Sequence, residues 1–516
     1  MKTLLIKGSQ ITVLLCLFVA LIACNSCSKD DESDNGSITN PEANNINDFI
    51  KNLDYNPNEL LGVEETGGEA LLKIPGESTT EVSFSEGVET TCVSVPYNLK
   101  ANFEDVAILR PTNGIVWPGA LVIGNQTMRD GLPEPFQIAR GPMTLRLDLP
   151  GIGEQGNILV EDVRNSVVES KIDEALEWWN ANAYQEGYVN PSNSSYSAST
   201  SYTSKQMSLE VGMNTEWATG DVSAQFNYET TSTKRVAIMV FKQVFYTVKM
   251  DIPLNPSDVF ASDVSLSTIK AAFNSNTPPA YVHSVNYGRI IMFRMETTEE
   301  ATEAELTGAF NYASGLNSAS GEVEAKYKEI LKESNITIVT IGGNAAVASE
   351  AISAQNFGDL QPIIKGQNAV YSRNNPGVPI AYTIRFLKNN SLAKMGYSTD
   401  YTALNCTSAG RKHNRIEFNN YVADNFRIGI EYKSNQAGGS VDYDNIAWKE
   451  NKIDGATTVI TPPDGAYDIF YYVERAKFGA GYERKLKDNI GGYVHAHEDC
   501  FESYRDVLEV KVRACQ

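Results

Sequence analysis

Between residues 204 and 229 the chain alternates apolar and polar side chains with a period of two. Met207, Leu209, Val211, Met213 and Trp217 stand at odd positions, with Gln206, Ser208, Glu210, Gly212, Asn214 and Glu216 between them. After the turn-forming Ala218, Thr219, Gly220 and Asp221, the pattern resumes as Val222, Ala224, Phe226 and Tyr228 against Ser223, Gln225, Asn227 and Glu229. Successive side chains of a strand point to opposite faces, so the pattern predicts a hairpin with one apolar and one polar face. Each arm is close to the roughly 9–11 residues that a tilted strand needs to cross a bilayer. Such a hairpin suits either the half-buried edge of an ordinary sheet or the repeating unit of a membrane barrel.

A second stretch, residues 301–327, repeats the pattern. Ala304, Leu306, Gly308, Phe310, Tyr312 and Leu316 are apolar or small at even positions, against Glu303, Glu305, Thr307 and Asn311. Past residues 318–321 it returns more weakly as Val323, Ala325 and Tyr327. Residues 322–332 are also good helix formers, with Ala325, Lys328, Glu329 and Lys332 spaced for a helix surface. Helix by propensity and strand by alternation are in conflict here. Either the alternation misleads or the segment changes state.

The net charge of −21 excludes nucleic acid as a partner, because phosphate recognition needs a basic face. It also speaks against a global attraction to anionic lipid. Among 516 residues there are only four histidines, and no nucleophile elbow, phosphate loop or HExxH motif occurs. An enzyme is therefore not expected, and no cofactor is called for. His495 and His497 alternate beside Glu498 and Asp499 without a nameable distant ligand, so no metal site is expected.

The N-terminus has a basic start at Lys2 and Lys7, then a short apolar run over residues 11–23. It ends in Leu21, Ile22, Ala23 and Cys24, which resembles the lipobox of bacterial lipoproteins. That resemblance implies a signal peptide over 1–23 and lipidation at Cys24. Cys27, preceded by Asn25 and Ser26, lacks the apolar residue. Residues 24–45 are rich in Asp, Ser and Asn and read as a disordered tether. Of seven cysteines, Cys406, Cys500 and Cys515 lie in the last 111 residues and offer three pairings that sequence does not rank.

From Asn47 onward the chain is globular in pattern. Val168, Ile172, Ala175, Leu176 and Trp179 share one helix face. Residues 236–248 and 281–295 are dense in β-branched and aromatic side chains and predict long strands. Residues 64–97 predict short strands, 336–341 a strand ending in Gly342 and Gly343, and 391–516 a small β-sandwich.

Taken in series, the motifs resemble the cholesterol-dependent, or thiol-activated, cytolysins over residues 46–401. They include Asn47 to Ile50, Trp117-Pro118-Gly119-Ala120-Leu121, Arg140-Gly141-Pro142-Met143-Thr144 and Asp148-Leu149-Pro150-Gly151. Further on come residues 241–248, Asn255 to Phe260, Val285-Asn286-Tyr287-Gly288-Arg289, Glu296-Thr297-Thr298, the twin Gly342 and Gly343, and residues 376–383. The resemblance implies an α+β fold with a central twisted antiparallel sheet flanked by helical bundles and a C-terminal β-sandwich. Its implied segments are 46–61, 100–189, 243–289 and 345–372 for a discontinuous first domain. Segments 62–99 and 373–390 would form an elongated β domain, 190–242 and 290–344 the pore-forming domain, and 391–516 the terminal sandwich.

In that family the bundles refold into two membrane-spanning hairpins per subunit within a ring. The lipid faces implied here are Met207, Leu209, Val211, Met213, Trp217, Val222, Ala224, Phe226 and Tyr228, then Ala304, Leu306, Phe310, Tyr312, Leu316, Val323, Ala325 and Tyr327. Gly342 and Gly343 carry over as a hinge. The implied partners are target-membrane lipid and a homo-oligomeric ring, or a ring with a related second subunit. The implied setting is an exported lipoprotein at the outer membrane or released from it. One departure bears on the receptor: residues 391–516 hold one tryptophan, Trp448, and no Trp-rich loop, so cholesterol is not supported. The other reading is a non-lytic surface lipoprotein that kept the fold and binds lipid or glycan.

Overall fold

The computed structural model describes residues 41–516 except 109–113, 214–229, 232–233, 299, 343–350, 353, 435–446, 452–454, 492–499, 507–508 and 516. Two long strands, Arg235–Met250 and Pro279–Thr297, pair antiparallel along almost their whole length and form the axis of an eleven-stranded sheet. Their β-branched and aromatic density follows from burial on both faces, since both odd and even residues must be apolar. The register shifts between Val244 and Tyr246, opposite Gly288. A Cβ at Gly288 would run into the Gln243 carbonyl.

The shift divides the sheet into two halves with different neighbours. In the upper half, Met143–Leu147 flanks Arg235–Met250, and Val378–Phe386 flanks Pro279–Thr297. In the lower half those places are taken by Asn193–Thr200 and Ser334–Ile341. The helix Asn165–Ala181 covers the upper half with Val168, Ile172, Leu176 and Trp179, all buried as their spacing predicts. Its Trp179 Nε1 donates to the Pro150 carbonyl at 2.6 Å, so the ring leaves no polar atom unpaired.

A separate ribbon is made by Val88–Phe103 and Met395–Gly410, paired from Phe103–Met395 to Val88–Gly410, with Leu71–Pro75 and Thr79–Ser85 along the other edge of Val88–Phe103. Two strands thus pair outside the segments expected for them. Val378–Phe386 belongs to the central sheet rather than the elongated ribbon, and Met395–Gly410 belongs to the ribbon rather than the terminal sandwich. Sequence alone does not reveal pairing across 300 residues.

The terminal sandwich has two four-stranded sheets. One contains Thr457–Ile460, Ile416–Asn419, Cys500–Asp506 and Glu509–Ala514; the other contains Ala447–Asn451, Phe426–Ser434, Ala466–Ala476 and Tyr482–Gly491. Phe418, Ile428, Ile430, Tyr471, Val473 and Phe501 fill the space between them. A disulfide joins Cys500 to Cys515, one of the three pairings left open by sequence, and Cys406 pairs instead with Cys92 of the ribbon.

Candidate functional site

In the lower half of the sheet, each long strand serves two cores at once. Ala237, Met239 and Phe241, with Ile291, Phe293 and Met295, face the helix Glu303–Ala313. The alternate residues Val236, Ile238 and Val240, with Ile290 and Met292, face Met207, Val211 and Met213. Two separate chain segments therefore cover the two faces of the same strands.

The first covering segment contains the helix Ser204–Glu210. Thr203 Oγ1 accepts from the Gln206 amide at 3.1 Å, and Gln206 Oε1 accepts from the Tyr202 and Thr203 amides at 3.0 and 3.3 Å. This capping box settles the N-terminus. The buried Gln206 Nε2 also donates to Ser199 Oγ and the Thr200 carbonyl. At the other end, Glu210 takes the Lys73 ammonium at 2.9 Å, the Ser199 hydroxyl at 2.6 Å and the Tyr401 hydroxyl at 3.1 Å. Lys242, half-buried in the central strand, donates to the Gly212 carbonyl. Burial pushes the Lys242 ammonium down, and the nearby Asp105 carboxylate opposes that shift.

A cavity of about 390 Å³ separates this segment from the ribbon, lined by Tyr97, Tyr202, Glu210, Arg235, Tyr401 and Asn405 among others. Tyr401 stacks on Tyr97 at 5.3 Å and on Tyr202 at 5.9 Å. Arg235, the first residue of its strand, donates from Nη2 to the Cys406 carbonyl at 2.8 Å, tying the central sheet to the ribbon.

The second covering segment is a pair of helices, Glu303–Ala313 and Gly321–Lys332. Thr302 and Glu305 form its capping box, and the Thr302 amide is the main group holding the Glu305 carboxyl below its usual range. Phe310 packs against Phe241, Phe293 and Tyr196. Tyr312 donates its hydroxyl to Glu324 at 2.8 Å, which links the two helices. At the end of Ser334–Ile341, Gly342 has φ +76°, and a Cβ there would lie 2.6 Å from Val378 Cγ2 and 2.8 Å from the Gly288 carbonyl. Only glycine fits that approach. On the outer side of Ser334–Ile341, Ala351–Ile352 pairs with Ile336 and Thr337.

The family profile described as thiol-activated cytolysin matches residues 45–408. The chain belongs to the thiol-activated cytolysin family. That is a family of pore-forming toxins and not of enzymes. Tetanolysin of Clostridium tetani is 29% identical over 432 residues, 84% of this chain and 77% of the relative. Perfringolysin O of Clostridium perfringens is 29% identical over 452 residues, 87% of this chain and 85% of the relative. Among solved structures, listeriolysin O superposes with a TM-score of 0.66 at 24% identity, covering 94% of this chain and 98% of that one. Wild-type pneumolysin gives 0.64 at 22% identity, covering 92% and 98%. These likenesses establish the cytolysin fold.

Within this cytolysin, the residues marked by alternation lie in helices or just past a helix end wherever they are described. Met207 and Leu209 lie in Ser204–Glu210, and Val211 and Met213 just beyond it; all four are buried. Two residues along a helix turn through about 200°, so the odd positions no longer share a face. Met207, Val211 and Met213 meet the sheet, while Leu209 meets the core under the ribbon. Trp217, Val222, Ala224, Phe226 and Tyr228 lie outside the described residues, as do Gly343, Cys24 and the 495–499 stretch.

In the second segment Leu306, Phe310 and Tyr312 are buried and Tyr327 half-buried. Ala304, Leu316, Val323 and Ala325 are exposed, Leu316 at 40% and Val323 at 53%. Sequence reasoning missed Glu210, Lys73, Lys242 and Arg235, whose partners are distant in the chain. It also missed Phe478, fully exposed in the turn between Ala466–Ala476 and Tyr482–Gly491. The exposed Tyr421 lies at the same end of the sandwich, where the Ala476 amide donates to the Asn425 carbonyl.

Proposed function

We propose that this cytolysin assembles into a ring and inserts residues 204–229 and 301–327 as two amphipathic β-hairpins per subunit, forming a large membrane barrel. One observation carries the reading. The two segments that cover opposite faces of the central strands are the two segments whose sequence also alternates with a period of two. A segment obliged to pack as a helix and later to present a lipid face needs both periodicities.

The physics of the bilayer makes assembly a precondition. A lone hairpin in lipid leaves backbone groups unpaired along both edges, each costing several kcal/mol. A closed barrel removes the edges. The exposed Phe478 and Tyr421 make that end of the sandwich the first contact with target lipid. Gly342 serves as the hinge beside the strand edge that must open to the next subunit. The ring forms from copies of this chain or with a related second subunit. Lipidation at Cys24 tethers the exported protein until release; Cys24→Ser should yield a product without the acyl mass.

Dye release from liposomes with and without sterol, using protein that begins after Cys27, tests the reading, with rings sought by electron microscopy. Release with ring formation is expected. Gly342→Val should leave rings on the membrane without release, and undiminished release from that variant removes the hinge. Glycan or lipid binding with no release from the unaltered protein would replace the reading with a non-lytic binding role.

A further inference from the structure

The upper half of the molecule holds a feature that pore formation leaves unused. At the N-terminal end of the helix Asn165–Ala181 lies a cavity of about 720 Å³, within the range usual for small-molecule sites. Trp117, Phe136, Ile138 and Val163 give it apolar walls, and all four belong to or pack on the core under that helix. Arg140, Arg164 and Asn165 supply polar groups.

Arg140 is the unusual member. Its Nε donates to the Val259 carbonyl at 2.9 Å and its Nη1 to the Gly119 carbonyl at 2.8 Å, but the buried Nη2 has no partner. Both bonds go to uncharged groups, and among the described residues no carboxylate pairs with this guanidinium. Burial pushes it down to about 10. A buried charge ordinarily has an opposite charge beside it, because its desolvation otherwise goes uncompensated. Arg164, exposed where it borders the cavity, holds Asp162 instead. The Asn165 Oδ1 is likewise buried without a partner. The helix adds positive potential, since its N-cap, Arg164, makes no side-chain cap and its first turn carries no acid. Water can pair orphan nitrogen and oxygen atoms, but it neutralises no charge.

We infer that this cavity is a binding site for an amphipathic carboxylate, with its head on Arg140 at the helix N-terminus and its apolar body along Trp117, Phe136 and Ile138. Such a ligand meets both halves of the cavity's chemistry. The carboxylate accepts from the guanidinium and supplies the missing opposite charge. The Asn165 amide, turned over, donates to the same head. An inorganic anion would answer the arginine and leave the apolar walls wet. A neutral alcohol would cover the walls and leave the charge alone. The site is independent of ring assembly. Trp117 leads into the strand Leu121–Ile123, which pairs with Pro279–Tyr281 above the register shift and away from both covering segments. Binding therefore stabilises the upper half by mass action and leaves the covering segments as they are.

Calorimetric titration of the protein beginning after Cys27 tests the site, with octanoate as the probe and octanol, acetate and inorganic phosphate beside it. Octanoate should bind at least about tenfold more tightly than each of the others, because a charge-assisted hydrogen bond and a buried alkyl chain each supply that factor. Hydrogen exchange locates the ligand: saturating octanoate should slow residues 117–121, 138–141 and 163–168 by roughly threefold or more and leave 207–213 unchanged. Arg164→Glu, at an exposed side chain, should keep the unfolding temperature and weaken octanoate by at least about threefold. Arg140→Met should bring octanoate down to the affinity of octanol; if that variant does not fold, Arg164→Glu and the exchange map decide. Octanoate binding no tighter than octanol overturns the site, as does protection outside these three segments or an unchanged affinity in Arg164→Glu. Phosphate binding as tightly as octanoate overturns the amphipathic ligand in favour of an inorganic anion.

Discussion

The helix Ser204–Glu210 has seven residues and is buried against both the central sheet and the ribbon core, whereas Glu303–Ala313 and Gly321–Lys332 lean on the sheet from one side and leave Leu316, Val323 and Ala325 to solvent. An isolated helix needs roughly 12–15 residues to be even marginal in water. The first segment is therefore held almost wholly from outside, through Lys73, Tyr401 and Ser199 at Glu210 and Lys242 at Gly212. The second holds more of itself, through the Lys328–Glu324 pair and the Tyr312–Glu324 hydrogen bond, both at 2.8 Å, with Phe310 as its plug into the sheet. Two segments proposed for one fate are thus restrained by different means. Freeing the first means breaking contacts with distant strands, and freeing the second means extracting one aromatic side chain and its neighbours.

The contrast can be broken in several ways. Phe310→Ala removes that plug and should destabilise the packed state by about 3–5 kcal/mol, because the ring is fully buried among other aromatics. Hydrogen exchange across residues 303–313 measures it, and a loss under about 1 kcal/mol would mean that the second segment is held some other way. Val323→Lys should change the stability of the packed protein by no more than about 0.5 kcal/mol, since the side chain is exposed. On the proposed lipid face, however, a lysine near the midplane costs about 2–4 kcal/mol, so release should fall at least roughly tenfold. Normal release would take Val323 off that face.

Smaller effects sharpen the first segment. Glu210→Gln keeps the shape and removes the charge that pairs with Lys73 and accepts from Ser199 and Tyr401. A cost of about 1–3 kcal/mol in local opening is expected. A double-mutant cycle with Lys73→Met should show coupling, and strict additivity would leave the ion pair without a role. The smallest changes are Thr203→Ala and Thr302→Ala, each removing a cap worth about 1 kcal/mol. Exchange should quicken through the whole of the first helix but only in the first turn of the second. Equal spread in both would erase the distinction.

Several parts of this architecture are legible in the sequence. Residues 236–248 and 281–295 are apolar on both alternations because the strands are buried on both faces. Val168, Ile172, Leu176 and Trp179 share a helix face because only one side of that helix meets the sheet. The first covering segment was harder. Its period of two is genuine, but Thr203 and Gln206 supply a local helix start and the surrounding cores absorb both faces, so tertiary burial outweighs the alternation. The ribbon pairing of Val88–Phe103 with Met395–Gly410 left no local trace at all, and with it went Cys92–Cys406 and the partners of Glu210 and Arg235.

The register shift between Val244 and Tyr246 has a mechanical consequence. Above it, Phe245, Tyr246, Val248 and Met250 belong to the core under the long helix; below it, Val236 to Phe241 divide between the two covering segments. One continuous rod is thus clamped at one end and sheathed at the other, with a joint between. Stripping the sheath leaves the clamp untouched. In the proposed conversion the lower half would lose its cover while the upper half keeps its frame, and the bared strands would stay anchored and aligned for prolongation.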